Sequence, residues 1–372
     1  MNIDVITRHA IRNYGSVLQA VATREILAAA RAEVRFVDYR QPGYDDSGWS
    51  YANRGSARDY PWPLRVAFAA LREPGVRKIG RVFEDFLTSE LALTGGTYRS
   101  TDALRMSPEF DSSRIYCAGS DQVWNVEYNV DNSPYYLDFA PRDALKFSLS
   151  SSIGAATLPQ NEEDHLVKSL QGFSGISVRE SDAVEYLADL GVHAEQHVDP
   201  TLGVHPSFWQ DFAAPPAFSA PYILVYQLNG SPDFNPVVDA VSHALGIPVK
   251  RIEYWRGPRS FRYSSVVLPT VQEFVGLFRD AAFVITDSFH GTVFSTTFRK
   301  PFVAVAPPKY SGRITSLLAL THEEGRQVSD SKQAIEVALN TEPLQDPVAL
   351  LESERSRVHS YVDRVVSSRV RS

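Results

Sequence analysis

The residues best placed to do chemistry sit in Phe283-Val284-Ile285-Thr286-Asp287-Ser288-Phe289-His290-Gly291-Thr292, an apolar run that ends in capping residues. Asp287 or Ser288 can cap a following helix, whose N–H groups at Gly291 and Thr292 would attract an anion. His290 falls at the helix start, where an exposed imidazole serves either a ligand or a local hydrogen bond. A second run, Tyr116-Cys117-Ala118-Gly119-Ser120-Asp121-Gln122-Val123-Trp124-Asn125, ends a strand in a glycine turn. It presents Asp121, a candidate general base and equally a turn carboxylate. Gly175-Ile176-Ser177-Val178-Arg179 sets an arginine just past a strand, and a guanidinium grips carboxylate or phosphate through two parallel hydrogen bonds. His197-Val198-Asp199-Pro200-Thr201 is another strand end, with an Asp-Pro step that reads as structural. Asn13-Tyr14-Gly15-Ser16 either caps the first helix or lets a ligand approach it.

Such groups need strands that stop where they begin. Strands are expected at Asn2–Ile6, Val34–Asp38, Arg114–Ala118, Leu145–Ser151 and Gly175–Val178, and helices at Val17–Ala32, Val76–Leu91, Gln160–Leu170 and Glu180–Leu190. Gln41–Pro63 reads as a long loop, and Pro206–Pro221, with Pro215 and Pro216, as a linker that cannot continue a helix. The rhythm then repeats: strands at Tyr222–Gln227, Pro248–Ile252, Phe283–Thr286 and Phe302–Val305, helices at Phe234–Leu245, Val271–Ala281 and Gly291–Phe298. Helical spacing closes the chain over Pro347–Arg369. The expected fold is α/β with two Rossmann-like doubly wound domains, residues 1–205 and 221–345, followed by a C-terminal helix in 346–372. In such sheets ligands bind outside the carboxyl ends of the strands, here in a cleft between the domains.

Composition narrows the classes. Across 372 residues, 44% hydrophobic and 22% charged content is ordinary globular usage. A net charge of −7 argues against a general nucleic-acid binder. One cysteine, Cys117, excludes an intramolecular disulfide and cysteine-based zinc or iron–sulfur sites, and suits a reducing cytoplasm. No metal site is expected. The N-terminus lacks the apolar run of a signal peptide, and no stretch is long enough to span a membrane, so any membrane contact would be peripheral.

Taken together and in order, Asn-Tyr-Gly-Ser-Val-Leu-Gln-Ala at 13–20, Gly-Ser-Asp-Gln-Val-Trp-Asn at 119–125, Ser-Val-Arg-Glu at 177–180, Asp-Pro-Thr-Leu at 199–202 and Asp-Ser-Phe-His-Gly-Thr at 287–292 resemble the polysaccharide pyruvyl transferase family. The resemblance spans roughly residues 1–340. It implies a glycosyltransferase-B-like pair of domains, phosphoenolpyruvate as donor co-substrate with no other cofactor, and a sugar of a cell-surface glycan precursor as acceptor. Some members have Arg-Leu-His where this chain has Ser288-Phe289-His290, and there the arginine is thought to grip the donor. Lys309-Tyr310-Ser311-Gly312-Arg313 is the best source of a replacement, or else a solvated basic loop.

Ketal formation needs protonation of the donor methylene, attack by a sugar hydroxyl and loss of phosphate. The resemblance assigns His290 as general acid or phosphate partner and Asp121 as the group that orients or deprotonates the hydroxyl. Arg179, Ser288, Phe289, Gly291, Thr292, Lys309 and Arg313 are the donor-side candidates; Asn13, Tyr14, Gly15, Ser120 and Trp124 are the acceptor-side ones. A nucleotide-sugar glycosyltransferase or a non-catalytic glycan-binding protein would use the same fold. From Tyr51 to Arg81, Arg54, Arg58, Arg65, Arg72, Arg77, Lys78 and Arg81 outnumber Asp59 and Glu73, with Tyr51, Tyr60, Trp62 and Phe68 interleaved. This is either a solvated face or a surface for membrane headgroups and a lipid-linked acceptor, which C-terminal Arg364, Arg369 and Arg371 would extend.

Overall fold

The computed structural model describes residues 1–41, 61–155, 157–255, 262–306, 312–340 and 347–368. The chain divides into two compact units, Met1–Pro200 with Arg357–Ser372, and Thr201–Ser356. In unit 1, strands β1 (Asn2–Ile6), β2 (Glu33–Phe36), β3 (Ile115–Ala118) and β4 (Leu145–Ser148) form a parallel sheet in the order β2-β1-β3-β4. A parallel pair, β5 (Ser177–Val178) and β6 (Glu195–Gln196), joins it through single bridges from Phe147 to Gly175 and from Ser151 to Val178. Central β3 is buried along its whole length, as expected of a parallel strand covered on both faces. The order reverses between β1 and β3, so their carboxyl ends flank the switch point at which doubly wound sheets bind ligands.

Unit 2 has its own six-stranded sheet, β12-β11-β10-β7-β8-β9, all parallel. Its strands are β7 (Ile223–Tyr226), β8 (Val249–Glu253), β9 (Ser264–Val267), β10 (Phe283–Thr286), β11 (Phe302–Val305) and β12 (Gln327–Val328). Counted within the unit, this is the 3-2-1-4-5-6 order of a Rossmann sheet, with the switch point between β7 and β10. Valines and isoleucines of β7, β10 and β11 pack with Val237, Val238 and Val241 of the helix Phe234–Leu245.

Four elements differ from those expected. Pro206–Phe212 is a helix: Pro206 occupies its first turn, where a missing N–H costs nothing, and Trp209 is buried with its indole N–H on the Thr201 carbonyl. The helix expected from Val76 begins at Trp62 and runs to Glu90, through Pro74. Gly312–Leu320 is helical, so Arg313 belongs to a first turn and not to a loop. The C-terminal helix spans Val348–Ser367, and from Arg357 onward it belongs to unit 1. There Tyr361 donates to the Ser148 carbonyl at 2.8 Å, and Gly175 makes room, since a Cβ at that position would lie 2.6 Å from Val365.

Candidate functional site

In unit 1 the carboxyl ends of β1, β3, β4 and β5 are knitted together by side chains. Asp121 follows β3 with φ 74°, a left-handed conformation that Asp adopts more readily than most residues. Its Oδ2 accepts from Ser16 Oγ at 2.7 Å and its Oδ1 from the Gln122 N–H at 2.8 Å, so the carboxylate is held from two sides. Preceding Ser120 is buried; its carbonyl accepts from Thr7 Oγ1 at 2.6 Å and its hydroxyl donates to Asp199 Oδ2 at 3.2 Å. Arg179 reaches the same Asp199 oxygen at 2.7 Å through Nη1 and Glu180 Oε1 at 3.1 Å through Nε, and Ser152 donates to Glu180 at 2.6 Å. Burial alone would lower the Arg179 pKa, but the charges of Glu180, Asp199 and Asp121 outweigh it and raise it further.

Arg179 and Asp121 are therefore in one network, and two arms of the Arg179 fork meet carboxylates of this chain. Asn13 caps the first helix, Tyr14–Ala29, by accepting from the Gly15 N–H at 2.8 Å. Two residues expected on the acceptor side lie in the core: Tyr14 packs against Phe83 at 5.1 Å between ring centroids, and Trp124 donates its indole N–H to the Tyr135 carbonyl. Large rings past a strand end fill space between elements before they meet solvent. Ser16, Ser152, Glu180 and Asp199 complete the network; Ser16, Glu180 and Asp199 lie in motifs that the sequence singled out without giving them a role at the site, and Ser152 lies in none. The signal for Ser152 was the run Ser148-Leu149-Ser150-Ser151-Ser152, whose serines are all buried and hydrogen-bonded to neighbouring strand ends.

In unit 2 the arrangement at the switch point is local. Ser288, not Asp287, caps the helix Phe289–Thr297, accepting from the Gly291 N–H at 3.3 Å. Asp287 instead takes the N–H groups of Leu228 and Asn229, just beyond β7, at 2.7 and 2.9 Å. Burial pushes its carboxyl above the usual range, and these donors only partly offset that. The Gly291 and Thr292 N–H groups, expected to face an anion, are taken up by Ser288 Oγ and the Ser288 carbonyl, the first through the side-chain cap and the second through the first intrahelical bond. Glycine is required at 291: a Cβ there would stand 2.2 Å from Thr286 Oγ1. His290, expected exposed, is only 8% exposed and lies edge-on to Phe289 at 5.2 Å. The Arg313 guanidinium stands 5.9 Å from the other partner of that pair, the Phe289 ring. Lys309 lies outside the described residues.

The basic segment is divided. Arg65, Arg72, Arg77, Lys78 and Arg81 lie on the helix Trp62–Glu90, while Tyr51, Arg54, Arg58, Asp59 and Tyr60, and the C-terminal Arg369 and Arg371, lie outside the described residues. Arg77 pairs with Glu73 at 2.8 Å in the open, Arg72 covers Phe68 at 4.9 Å, and Arg364 pairs with Glu195. Trp62 and Leu71 are exposed to 67% and 83%. No helix among the described residues is long and apolar enough to cross a membrane.

Among solved structures, a putative UDP-N-acetylglucosamine 2-epimerase from Listeria monocytogenes is similar at 9% identity and TM-score 0.53, covering 98% of this chain and 90% of that one. The UDP-N-acetylglucosamine 2-epimerase of Rickettsia bellii is similar at 12% identity and TM-score 0.53, with 99% and 96% covered. UGT89C1 of Arabidopsis thaliana, solved with quercetin, gives 11% identity and TM-score 0.51, with 99% and 98% covered. At such identities the likeness is one of fold, the glycosyltransferase-B-like architecture of two Rossmann-type units. No match was found among curated proteins. A model of the family described as polysaccharide pyruvyl transferase matches residues 13–308, a span that takes in the Asp121 network and the capped helix bearing His290, and the chain belongs to that family.

Proposed function

We propose that the protein transfers a pyruvyl group from phosphoenolpyruvate to a sugar of a cell-surface polysaccharide or its precursor. The observation that carries this reading is the family match over residues 13–308. The donor methylene takes a proton, a sugar hydroxyl adds to the neighbouring carbon, phosphate leaves with the C–O bond electrons, and a second hydroxyl closes the ketal. His290 supplies the proton or meets the phosphate. Asp121, an acceptor already fixed by Ser16 and the Gln122 N–H, orients the attacking hydroxyl. Arg313, beside Phe289, is the candidate for the donor grip that Ser288 does not provide, with Lys309 as its alternative. Phosphoenolpyruvate is then a co-substrate, and no resident cofactor takes part.

The exposed Trp62 and Leu71 next to Arg65 and Arg72 support peripheral contact with an anionic membrane surface and a lipid-linked acceptor. Incubation with phosphoenolpyruvate and a glycan precursor should release inorganic phosphate in step with acceptor consumption. Release of a nucleoside diphosphate from a nucleotide sugar, without phosphate from phosphoenolpyruvate, would make the protein a glycosyltransferase instead.

A further inference from the structure

Closing a ketal takes two hydroxyls of one sugar, and Asp121 orients only the first of them in the reaction proposed above. Unit 1 holds a second carboxylate at the same strand ends, with an oxygen to spare. Glu180 lies two residues beyond β5 and immediately precedes the helix Ser181–Asp189. Its Oε1 accepts from Ser152 Oγ at 2.6 Å and from Arg179 Nε at 3.1 Å. Its Oε2 is buried and has no hydrogen-bond partner among the described residues. Burying a carboxylate oxygen without a donor is unfavourable, more so than for a neutral group, and a ligand that brings an O–H removes the penalty. Two donors on Oε1 hold the carboxylate in place and leave Oε2 for a third.

The two carboxylates are neighbours. Ser152 joins them: its N–H donates to the Asp121 carbonyl at 3.1 Å, and its hydroxyl reaches Glu180. Single bridges from Asp121 to Ser151 and from Ser151 to Val178 put only the end of β4 between the segments that carry them. Backbone strain falls on the same ends. Asp121 and Ser150 have φ of 74° and 50°, left-handed conformations that cost energy in residues other than glycine and that gather where ligands are handled. Glu180 is 8% exposed, the same as Asp121.

We propose that Glu180 receives the second hydroxyl of the acceptor, so that Asp121 and Glu180 together select a sugar whose two hydroxyls can share one carbon. Once phosphate has left, the donor carbon is an oxocarbenium centre already bonded to the first sugar oxygen. The second hydroxyl oxygen gives a lone pair to that carbon, the C=O π pair returns to the first oxygen, and the hydroxyl proton passes to Glu180 Oε2 and then to water. The proposal deepens the pyruvyl-transfer reading and rests on it for this proton transfer; recognition of the paired hydroxyls does not depend on it.

The test is calorimetric titration of the whole protein, without phosphoenolpyruvate, with methyl glucoside, methyl galactoside and methyl mannoside, each beside its monodeoxy forms. At least one parent glycoside should bind, and loss of either of two vicinal or 1,3-related hydroxyls should weaken it about tenfold. Glu180→Gln keeps a carbonyl oxygen for Ser152 and Arg179 but replaces the free acceptor with an amide. It should weaken the parent about tenfold and erase the penalty at one of the two hydroxyls while keeping it at the other. A Glu180 that only supports the fold would weaken every form alike. The wild-type series decides the matter even where the variant does not fold, because it counts the hydroxyls that are read. Binding of no glycoside, a penalty at only one hydroxyl of the wild type, or the same two penalties in Glu180→Gln overturns the proposal. Failure of phosphoenolpyruvate to yield phosphate would overturn the pyruvyl-transfer reading and leave these binding results standing.

Discussion

The two switch points solve the same problem with different materials. In unit 1 the polar groups beyond the strands satisfy one another across long stretches of chain: Ser16 with Asp121, Ser120 and Arg179 with Asp199, Ser152 with Glu180. In unit 2 they are satisfied mostly by nearby backbone: Ser288 by its own helix, Ser288 N–H by Thr286, Asp287 by two N–H groups of the neighbouring strand's loop. A closed network of buried charges makes stability depend on every member, because removing one leaves another charge without compensation. A cap made of backbone donors and one hydroxyl spreads the same duty over small, replaceable terms. Chemistry at Asp121 should therefore be inseparable from the stability of unit 1, whereas chemistry at His290 should be separable from that of unit 2.

The largest expected effect tests the separable side. His290→Ala should reduce phosphate release from phosphoenolpyruvate by about 10²–10⁴-fold, the usual contribution of a general acid, while destabilising by only about 1–2 kcal/mol, the cost of truncating a buried ring that takes no part in the Ser288 cap. A large loss of stability with it would make His290 a packing residue and erase the contrast. Arg179→Ala should destabilise by about 3–5 kcal/mol in equilibrium unfolding, because Asp199 and Glu180 would lose the cation between them. A loss under about 1 kcal/mol would show that the network is looser than its distances.

Titration sharpens the comparison further. His197 in unit 1 is buried, its Nδ1 3.0 Å from Ser177 Oγ and its ring 4.7 Å from Tyr361, and burial lowers its pKa to about 4. The unfolded chain takes up this proton near pH 6.5 and the folded one only near 4, so stability falls as pH drops through that window, by about 3 kcal/mol for this group. His197→Gln should flatten the stability profile between pH 6.5 and 4, read from urea midpoints at stepped pH. An identical slope in the variant would assign the acid sensitivity to other groups. The smallest effects belong to unit 2. Gly291→Ala should cost about 1–3 kcal/mol by forcing Thr286 aside, and Ser288→Ala about 1 kcal/mol for the lost cap, both measurable as shifts in midpoint.

This contrast also explains which parts of the site could be read from the chain alone. The Ser288 cap, the helix behind it and the strand before it are local events, and Phe283–Thr286 and Phe302–Val305 are strands over the residues expected. Gln160–Leu170 and Phe234–Leu245 are likewise helices as their periodicity predicts. Asp199 was readable only as an Asp-Pro step, because its partners Ser120 and Arg179 are 79 and 20 residues away. The burial of Tyr14 and Trp124 was not readable for the same reason: the helix Trp62–Glu90 brings Phe83 against Tyr14, and the Tyr135 carbonyl takes the Trp124 indole N–H.

Hydrophobic periodicity and capping chemistry, which act over a few residues, determined that this chain alternates strand and helix twice and where most of those elements lie. The ordered motifs determined the family. Strand order, and with it the two switch points, was decided only in the folded chain, since parallel pairing joins segments far apart in sequence. So was the meeting of arginines around a cavity in unit 1: Arg8 and Arg12 share the connection after β1, whereas Arg40 and Arg99 come from segments further along the chain, and the fold brings the three segments to one place. Like charges spread along a chain are solvated independently, and the sheet is what holds them close.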